Sequence, residues 1–256
     1  MIRYETRDQV AHVIIDRPDK RGAMTYAILA DFYAAIGRAS TDDDARAVII
    51  EGTGGSFCAG TDLSDLNDTP EDERGKRGAE GSPPPLIITT CPHPVIGAID
   101  GPAVGMGAEF ATQCDVRIAS TRARFGWVFV LRGLVADTGA GTYLLPRIVG
   151  YSEAMRLLFS GDIIDAQTAL DIGFVSKVVE PDDLPAAAEE EAKRYLTASP
   201  FAVARMKRLV YDGISNDLPA HSLQTAAALR ECFGSKDHAE GVAAFLERRP
   251  ANFTGQ

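Results

Sequence analysis

Three glycine-rich segments of this 256-residue chain could bring backbone N–H groups up to a ligand: residues 52–60, 101–107 and 133–141. The first contains "SFCAGTDL" (56–63), placed after the apolar "AVII" and the loop "EGTGG". None of the three matches a phosphate cradle. G-x-G-x-x-G fails at Phe57 after Gly52 and Gly54, and at Phe110 after Gly105 and Gly107; no G-K-[ST] occurs. A nucleophile elbow fails too, because Gly54-Gly55-Ser56-Phe57-Cys58 ends in Cys where G-x-S-x-G needs Gly. What the first two segments share is their setting: each follows an apolar, strand-like run and offers small residues just before a helical pattern. N–H groups at a helix start lack partners and lie at its positive end, so two such loops can form a two-donor hole for an oxyanion. Two ordinary strand-to-helix turns would read the same way on spacing alone.

The elements that would position these loops are legible from periodicity. "IRYETRD" and "VAHVIID" read as two strands around a polar turn at residues 7–9, with period-2 alternation at Val10, His12 and Ile14. "TYAILADFYAAIGRAS" spaces Ile28, Leu29, Phe32 and Ile36 as a helix face, with Thr25 as N-cap. "RAVIIEG" is a buried strand leading into the first glycine-rich loop. Residues 65–82 are polar, charged and Gly-rich, a surface loop that is either a lid or plain disorder. "PPPLIITTCPHP" reads as a helix opening on prolines, "VIGAID" as a strand, and "GPAVGMGAEFATQCDVRIAS" as loop, short helix and strand. From Tyr151 onward the pattern is almost wholly helical, and no repeat of fixed period is present.

Composition narrows the classes. With 45% hydrophobic and 24% charged residues the chain can bury a full-sized core. A formal net charge of -10 argues against a nucleic-acid partner, since phosphate binding uses clustered Lys and Arg. The start lacks the order of a signal peptide and no apolar run nears the roughly 20 residues of a membrane span, so a cytoplasmic chain without membrane contact is expected. Cys58, Cys91, Cys114 and Cys232 are scattered without C-x-x-C spacing, as are the four histidines; reduced, buried thiols and no metal are expected.

"GGSFCAGTDL", "AIDGPAVGMGAEFATQCDVRIAS", "GLVADTGAGTYLLPRIVG" and "EGVAAFLERRPANF", in this order, together resemble the enoyl-CoA hydratase/isomerase (crotonase) family over nearly the whole chain. The resemblance implies an α/β fold: a crotonase-type spiral core of repeated strand-strand-helix turns over residues 1–195, then a helical C-terminal trimerisation region over 196–256. It implies an acyl-CoA thioester as substrate, no cofactor, and a homotrimer or dimer of trimers. The family's A-G-x-D falls on Ala59, Gly60, Thr61 and Asp62, so the oxyanion donors would be the N–H groups of Thr61 and Met106. Met106 stands where the family commonly has Gly, which would narrow or reshape the pocket. Glu109, one turn further on, matches one of two glutamates used by the family's hydratases. The other falls on Phe129, which leaves ordinary two-glutamate hydration in doubt and favours double-bond isomerisation or related enolate chemistry. Asp137 matches an aspartate of isomerase and dehalogenase members; the alternatives are a second hydratase carboxylate or a cap for the helix beginning near Thr138.

For CoA itself the resemblance implies Lys20 or Arg21 near the phosphates, Ala23 near the adenine, and Ala59 and Leu63 beside them. Phe245 and Arg248 of the last helix would complete the site, often toward a neighbouring subunit. Rival readings are a hydratase using Glu109 and Asp137, and a non-catalytic acyl-CoA binder. RNA binding is disfavoured by charge, and a serine peptidase by the lack of a Ser elbow.

Overall fold

The computed structural model describes residues 1–62 and 86–256. Leu63, the loop expected over 65–82 and the prolines at 83–85 lie outside the described residues. Strands β1 (Ile2–Arg7) and β2 (Val10–Ile15) form the expected hairpin, and α1 (Tyr26–Ser40) opens where Thr25 Oγ1 accepts from the Ile28 N–H at 3.3 Å. β3 (Ala47–Gly52) follows, then α2 (Ile87–Thr90), β4 (Val95–Ile99), β5 (Pro102–Val104), α3 (Met106–Gln113), β6 (Val116–Ser120) and β7 (Arg124–Gly126). Beyond a 3-10 turn at Val128–Arg132 come α4 (Ala140–Tyr143), α5 (Leu145–Val149), α6 (Tyr151–Ser160), β8 (Ile164–Asp165), α7 (Ala166–Asp171), β9 (Lys177–Val179) and α8 (Leu184–Lys193). Three helices finish the chain: α9 (Pro200–Gly213), α10 (Leu218–Phe233) and α11 (Lys236–Glu247).

The large sheet has the order β1-β2-β3-β4-β6-β9, antiparallel only at β1-β2. The alternation expected for β2 belongs instead to β1. Every residue of β2 is buried, because β2 runs between β1 and β3 as an interior strand, whereas β1 at the edge alternates half-buried and exposed. His12 on β2 is thereby drawn inside, its Nδ1 3.0 Å from Glu51 Oε1 and its Nε2 3.2 Å from Glu189 Oε1.

After each of β3, β4 and β6 the chain drops into a second layer. There Cys58 bridges Ala103, β5 pairs with β7 through Ala103 and Phe125, and Phe125 faces Ile164 of β8. Met24 bridges Thr61 at the top of this ladder. Met24, Cys58, Ala103, Phe125 and Ile164 are all buried, so successive turns of the spiral stack on one apolar line. The expected spiral of strand-strand-helix turns is what forms.

Candidate active site

The second-layer ladder explains why two loops meet. Cys58 and Ala103 are in-register partners of a parallel bridge, and Thr61 and Met106 each lie three residues beyond them. The bridge brings the two loops that carry these positions against each other. Close approach requires glycine here. A Cβ built on Gly60, whose φ is +101°, would stand 3.0 Å from Val104 O and 3.8 Å from Met106 N, while one on Gly107 would meet Cys58 O at 2.0 Å.

The bridge bonds run from Met24 N–H to Gly60 O (2.8 Å) and from Asp62 N–H to Met24 O (2.8 Å), passing over Thr61. Among the described residues, the Thr61 N–H has no backbone acceptor. Met106 is the first residue of α3, where an N–H has no acceptor within the helix. The Met106 side chain packs into the main apolar cluster at 2% exposure, so its bulk is taken up by the core.

Helix α3 is buried on every side, and with it Glu109 at 0% exposure. The carboxylate is cradled rather than stranded. Gly141 N–H donates to Oε1 at 2.7 Å and Thr138 Oγ1 donates to Oε2 at 2.6 Å. The Thr138 hydroxyl is itself placed by donations from Gln113 Nε2 and the Ala140 N–H, each at 3.3 Å. Gln113, one turn beyond Glu109 on the same helix, accepts from the Ile88 N–H, which ties α2 to this network. Burial pushes the Glu109 carboxyl up to about 7; the Thr138 and Gly141 donors pull it down, and the Asp137 charge adds to the rise. The removal of charge from water therefore outweighs both the donors and the positive end of the helix. At the far end of α3, buried Arg117 donates to the carbonyls of Ala111 and Cys114, filling the helix's open acceptors.

Asp137 is exposed, in the loop before α4, and close enough for its charge to raise both Glu109 and the buried Cys58 thiol. α4 begins at Ala140, whose N–H donates to Thr138 Oγ1. Phe129 sits half-buried on the 3-10 turn and packs against the core, with Val130, Leu134 and Val135 exposed beside it.

Lys20 and Arg21 are exposed on the loop before α1, and the Arg21 carbonyl accepts from the Ala59 N–H at 3.0 Å and Ser56 Oγ at 2.6 Å. Ala23 O accepts from Arg17 Nη1 at 2.7 Å, and Arg17 also reaches Asp62 Oδ2 at 2.8 Å. This largely buried ion pair clamps the 17–23 loop to the Thr61 loop, bringing Lys20, Arg21, Ala23 and Ala59 together. Phe245 and Arg248 are exposed on α11 and at its end, and α11 packs against α10.

Sequence reasoning missed Thr138, Gly141, Gln113 and the Arg17–Asp62 pair. The signals were present: Gln113 stands four residues after Glu109, and small Gly141 closes "DTGAG". A Cβ on Gly141 would meet Glu109 Oε1 at 2.4 Å, so only glycine admits the carboxylate. Cys58, Cys91 and Cys114 are buried free thiols and Cys232 is half-buried. Among the described residues no cluster could hold a metal, and no helix is long and apolar enough to cross a membrane.

The stacked strand-strand-helix turns define a crotonase-type spiral. The family model for enoyl-CoA hydratase/isomerase matches residues 5–256, and the chain belongs to that family. It is 37% identical over 246 residues to a short-chain-enoyl-CoA hydratase of Clostridium acetobutylicum, covering 96% of this chain and 94% of that protein. It is 36% identical to a crotonyl-CoA hydratase of Syntrophomonas wolfei, covering 98% and 97%. The crystal structure of an enoyl-CoA hydratase from Bacillus anthracis superposes with a TM-score of 0.89 at 29% identity, covering 100% of this chain and 99% of that one.

Proposed function

We infer that this chain binds an acyl-CoA thioester with its carbonyl oxygen between the N–H groups of Thr61 and Met106. Glu109 then moves a proton at the neighbouring carbon. The observation that carries this reading is the Glu109 carboxyl itself: buried, doubly hydrogen-bonded, and brought to about 7 beside two converging loops. A group balanced near neutral pH can both accept and return a proton. Removing a proton next to the carbonyl leaves charge on the thioester oxygen, where two preset donors contribute most; losing one typically costs about 2.7–4 kcal/mol.

Isomerisation of a 3-enoyl-CoA is the preferred reaction. Glu109 takes the proton from C2, the double bond shifts toward the thioester, and the proton is returned at C4, so atoms balance without water. Phe129 supports this, because an aromatic ring where the hydratases have their second glutamate does not steer water onto the chain. A second reading is hydration of a 2-enoyl-CoA with Asp137 as the other carboxylate. The names of the Clostridium and Syntrophomonas relatives and the nearness of Asp137 to Glu109 favour it. Chromatographic separation coupled to mass spectrometry, run against straight-chain 2-enoyl, 3-enoyl and aromatic CoA esters, separates the two: a new peak of unchanged mass from the 3-enoyl ester supports the first, and robust gain of water overturns it. Lys20, Arg21, Ala23, Ala59, Leu63, Phe245 and Arg248 form the proposed CoA contacts. The working unit is proposed to be a trimer or dimer of trimers assembled through residues 196–256, because α9 and α10 contain no fully buried residue.

A further inference from the structure

Trp127, the single tryptophan of the chain, joins β7 to the 3-10 turn and is 0% exposed. Its Nε1–H has no hydrogen-bond partner among the described residues. A buried N–H without an acceptor is rare and costs free energy, so such a donor marks a place where an acceptor arrives. The neighbourhood identifies that acceptor. A Cβ built on Gly141 would stand 2.9 Å from Trp127 Cδ1, the carbon bonded to Nε1, and 2.4 Å from Glu109 Oε1. The polar edge of the indole and the carboxylate thus flank one bare Cα. Glu109 Oε1 takes a hydrogen bond from Gly141 N–H, and a carboxylate oxygen has a second lone pair to offer. The indole is held in place by Phe174, whose ring lies 5.1 Å away at 84°.

We propose that Trp127 is a positioning residue for Glu109, its indole N–H donating to the carboxylate, directly or through one water, when the proton has left. Three donors on two elements then surround the charged form: Gly141 N–H, Thr138 Oγ1 and Trp127 Nε1. The charged group acting on Glu109 from the surrounding elements is Asp137 before α4; Arg117 lies at the opposite end of α3, on the carbonyls of Ala111 and Cys114. Asp137 opposes ionisation, and the indole N–H offsets it. The inference rests on the reading of Glu109 as the acid–base group, but the indole edge and the carboxylate flank Gly141 in the free protein, so the pairing is testable there.

Because the chain has one tryptophan, its emission reports this indole alone. Scanned without substrate from pH 5 to 9, the full-length wild type should show a step in emission near pH 7, and Glu109→Gln should abolish it. Trp127→Phe keeps the ring and removes the donor; the acid limb of kcat/KM should move up by about 1 in pH, with kcat at pH 7 reduced and KM unchanged. A flat wild-type scan, as an N–H aimed at the Phe174 face would give, overturns the proposal. So does a step that survives Glu109→Gln, or an acid limb that stays in place in Trp127→Phe. Should Trp127→Phe fail to fold, the emission arm decides alone, since Glu109→Gln leaves the indole intact. An emission step in a protein that converts no acyl-CoA would leave the pairing standing and sink the proposed reaction.

Discussion

Helices α3 and α10 are opposites. All eight residues of α3 are buried, a glutamate among them, whereas none of the sixteen residues of α10 is. On α10 and α11 the large side chains face outward instead: Leu218 is 76% exposed, Leu223 74%, Phe245 82% and Leu246 74%. The spiral core closes upon itself through the Met24-to-Ile164 ladder and covers its central helix completely. The terminal helices are fastened by polar links, such as Lys207 to Asp115 at 2.6 Å and Ser199 to Asp237 at 2.6 Å, and leave an apolar surface uncovered. Among the described residues the spiral core thus covers its own apolar line, whereas the C-terminal region leaves large apolar side chains exposed, which is what the proposed assembly would use.

The sharpest way to break this contrast is Glu109→Gln, which removes the charge that α3 encloses. It should lower kcat by about 10²–10⁴-fold, with a much smaller change in KM, in steady-state assays of acyl-CoA turnover. The same variant should be more stable than wild type at pH 8. Because the folded-state value for Glu109 lies above its ordinary 4.5, its stabilising contribution is fully present below pH 4.5 and is lost as pH rises to about 7. Glutamine has no such loss, so the gain is about 3 kcal/mol at pH 8 and becomes small near pH 4.5, read from denaturant midpoints. A variant equally active, or no more stable at pH 8, would show that the carboxyl is not held out of water as described.

The contrast was only partly visible in the sequence. Periodicity placed β1, β2, β3 and α1, and glycine spacing pointed to two donor loops, because these signals are local. That the loops carrying Thr61 and Met106 meet depends on the Cys58–Ala103 bridge between distant segments, which no local pattern encodes; the resemblance supplied it. Thr138 was read only as the start of a helix, since its hydroxyl acquires meaning through Glu109, 29 positions earlier. The period-2 alternation read at Val10, His12 and Ile14 could not reveal that β2 is buried throughout, with His12 enclosed by Glu51 and Glu189.

The C-terminal half of the contrast is tested next. A charge placed in an apolar interface without a partner costs several kcal/mol, of order 3. Leu223→Glu should accordingly reduce the solution mass by light scattering from about three or six chains to one at micromolar concentration. The spiral core should keep its circular dichroism. A wild type that is already a clean monomer removes the proposed interface altogether.

A smaller effect is expected where the two regions would cooperate on CoA. Arg248 ends α11 in a left-handed conformation with its side chain exposed, so it is available to a phosphate. Arg248→Ala should weaken CoA-ester binding by about 1.5–3 kcal/mol, the usual worth of a hydrogen bond to a charged group, and leave a pantetheine-truncated substrate nearly unaffected. Equal losses on both substrates would mean that Arg248 acts through packing.

The smallest effect is assigned to Asp137, and it tells the one-base and two-carboxylate sites apart. Asp137 is exposed, and its influence on Glu109 is that of a like charge screened by water. Asp137→Asn keeps the size and removes the charge, so Glu109 loses a neighbour that opposes its ionisation. The acid limb of kcat/KM should then move to lower pH, by less than about 1, because screened surface charges interact weakly. With Glu109 as the sole shuttle, kcat on a 3-enoyl-CoA should stay within about tenfold of wild type at pH 8, where Glu109 is ionised in both proteins. If Asp137 instead steers water or holds the second proton, its loss removes a group acting in the transition state, and kcat falls by about 10²–10⁴-fold with no such movement of the limb. That result, together with loss of hydration of a 2-enoyl-CoA, would replace the isomerase preference with a hydratase in which Asp137 serves beside Glu109.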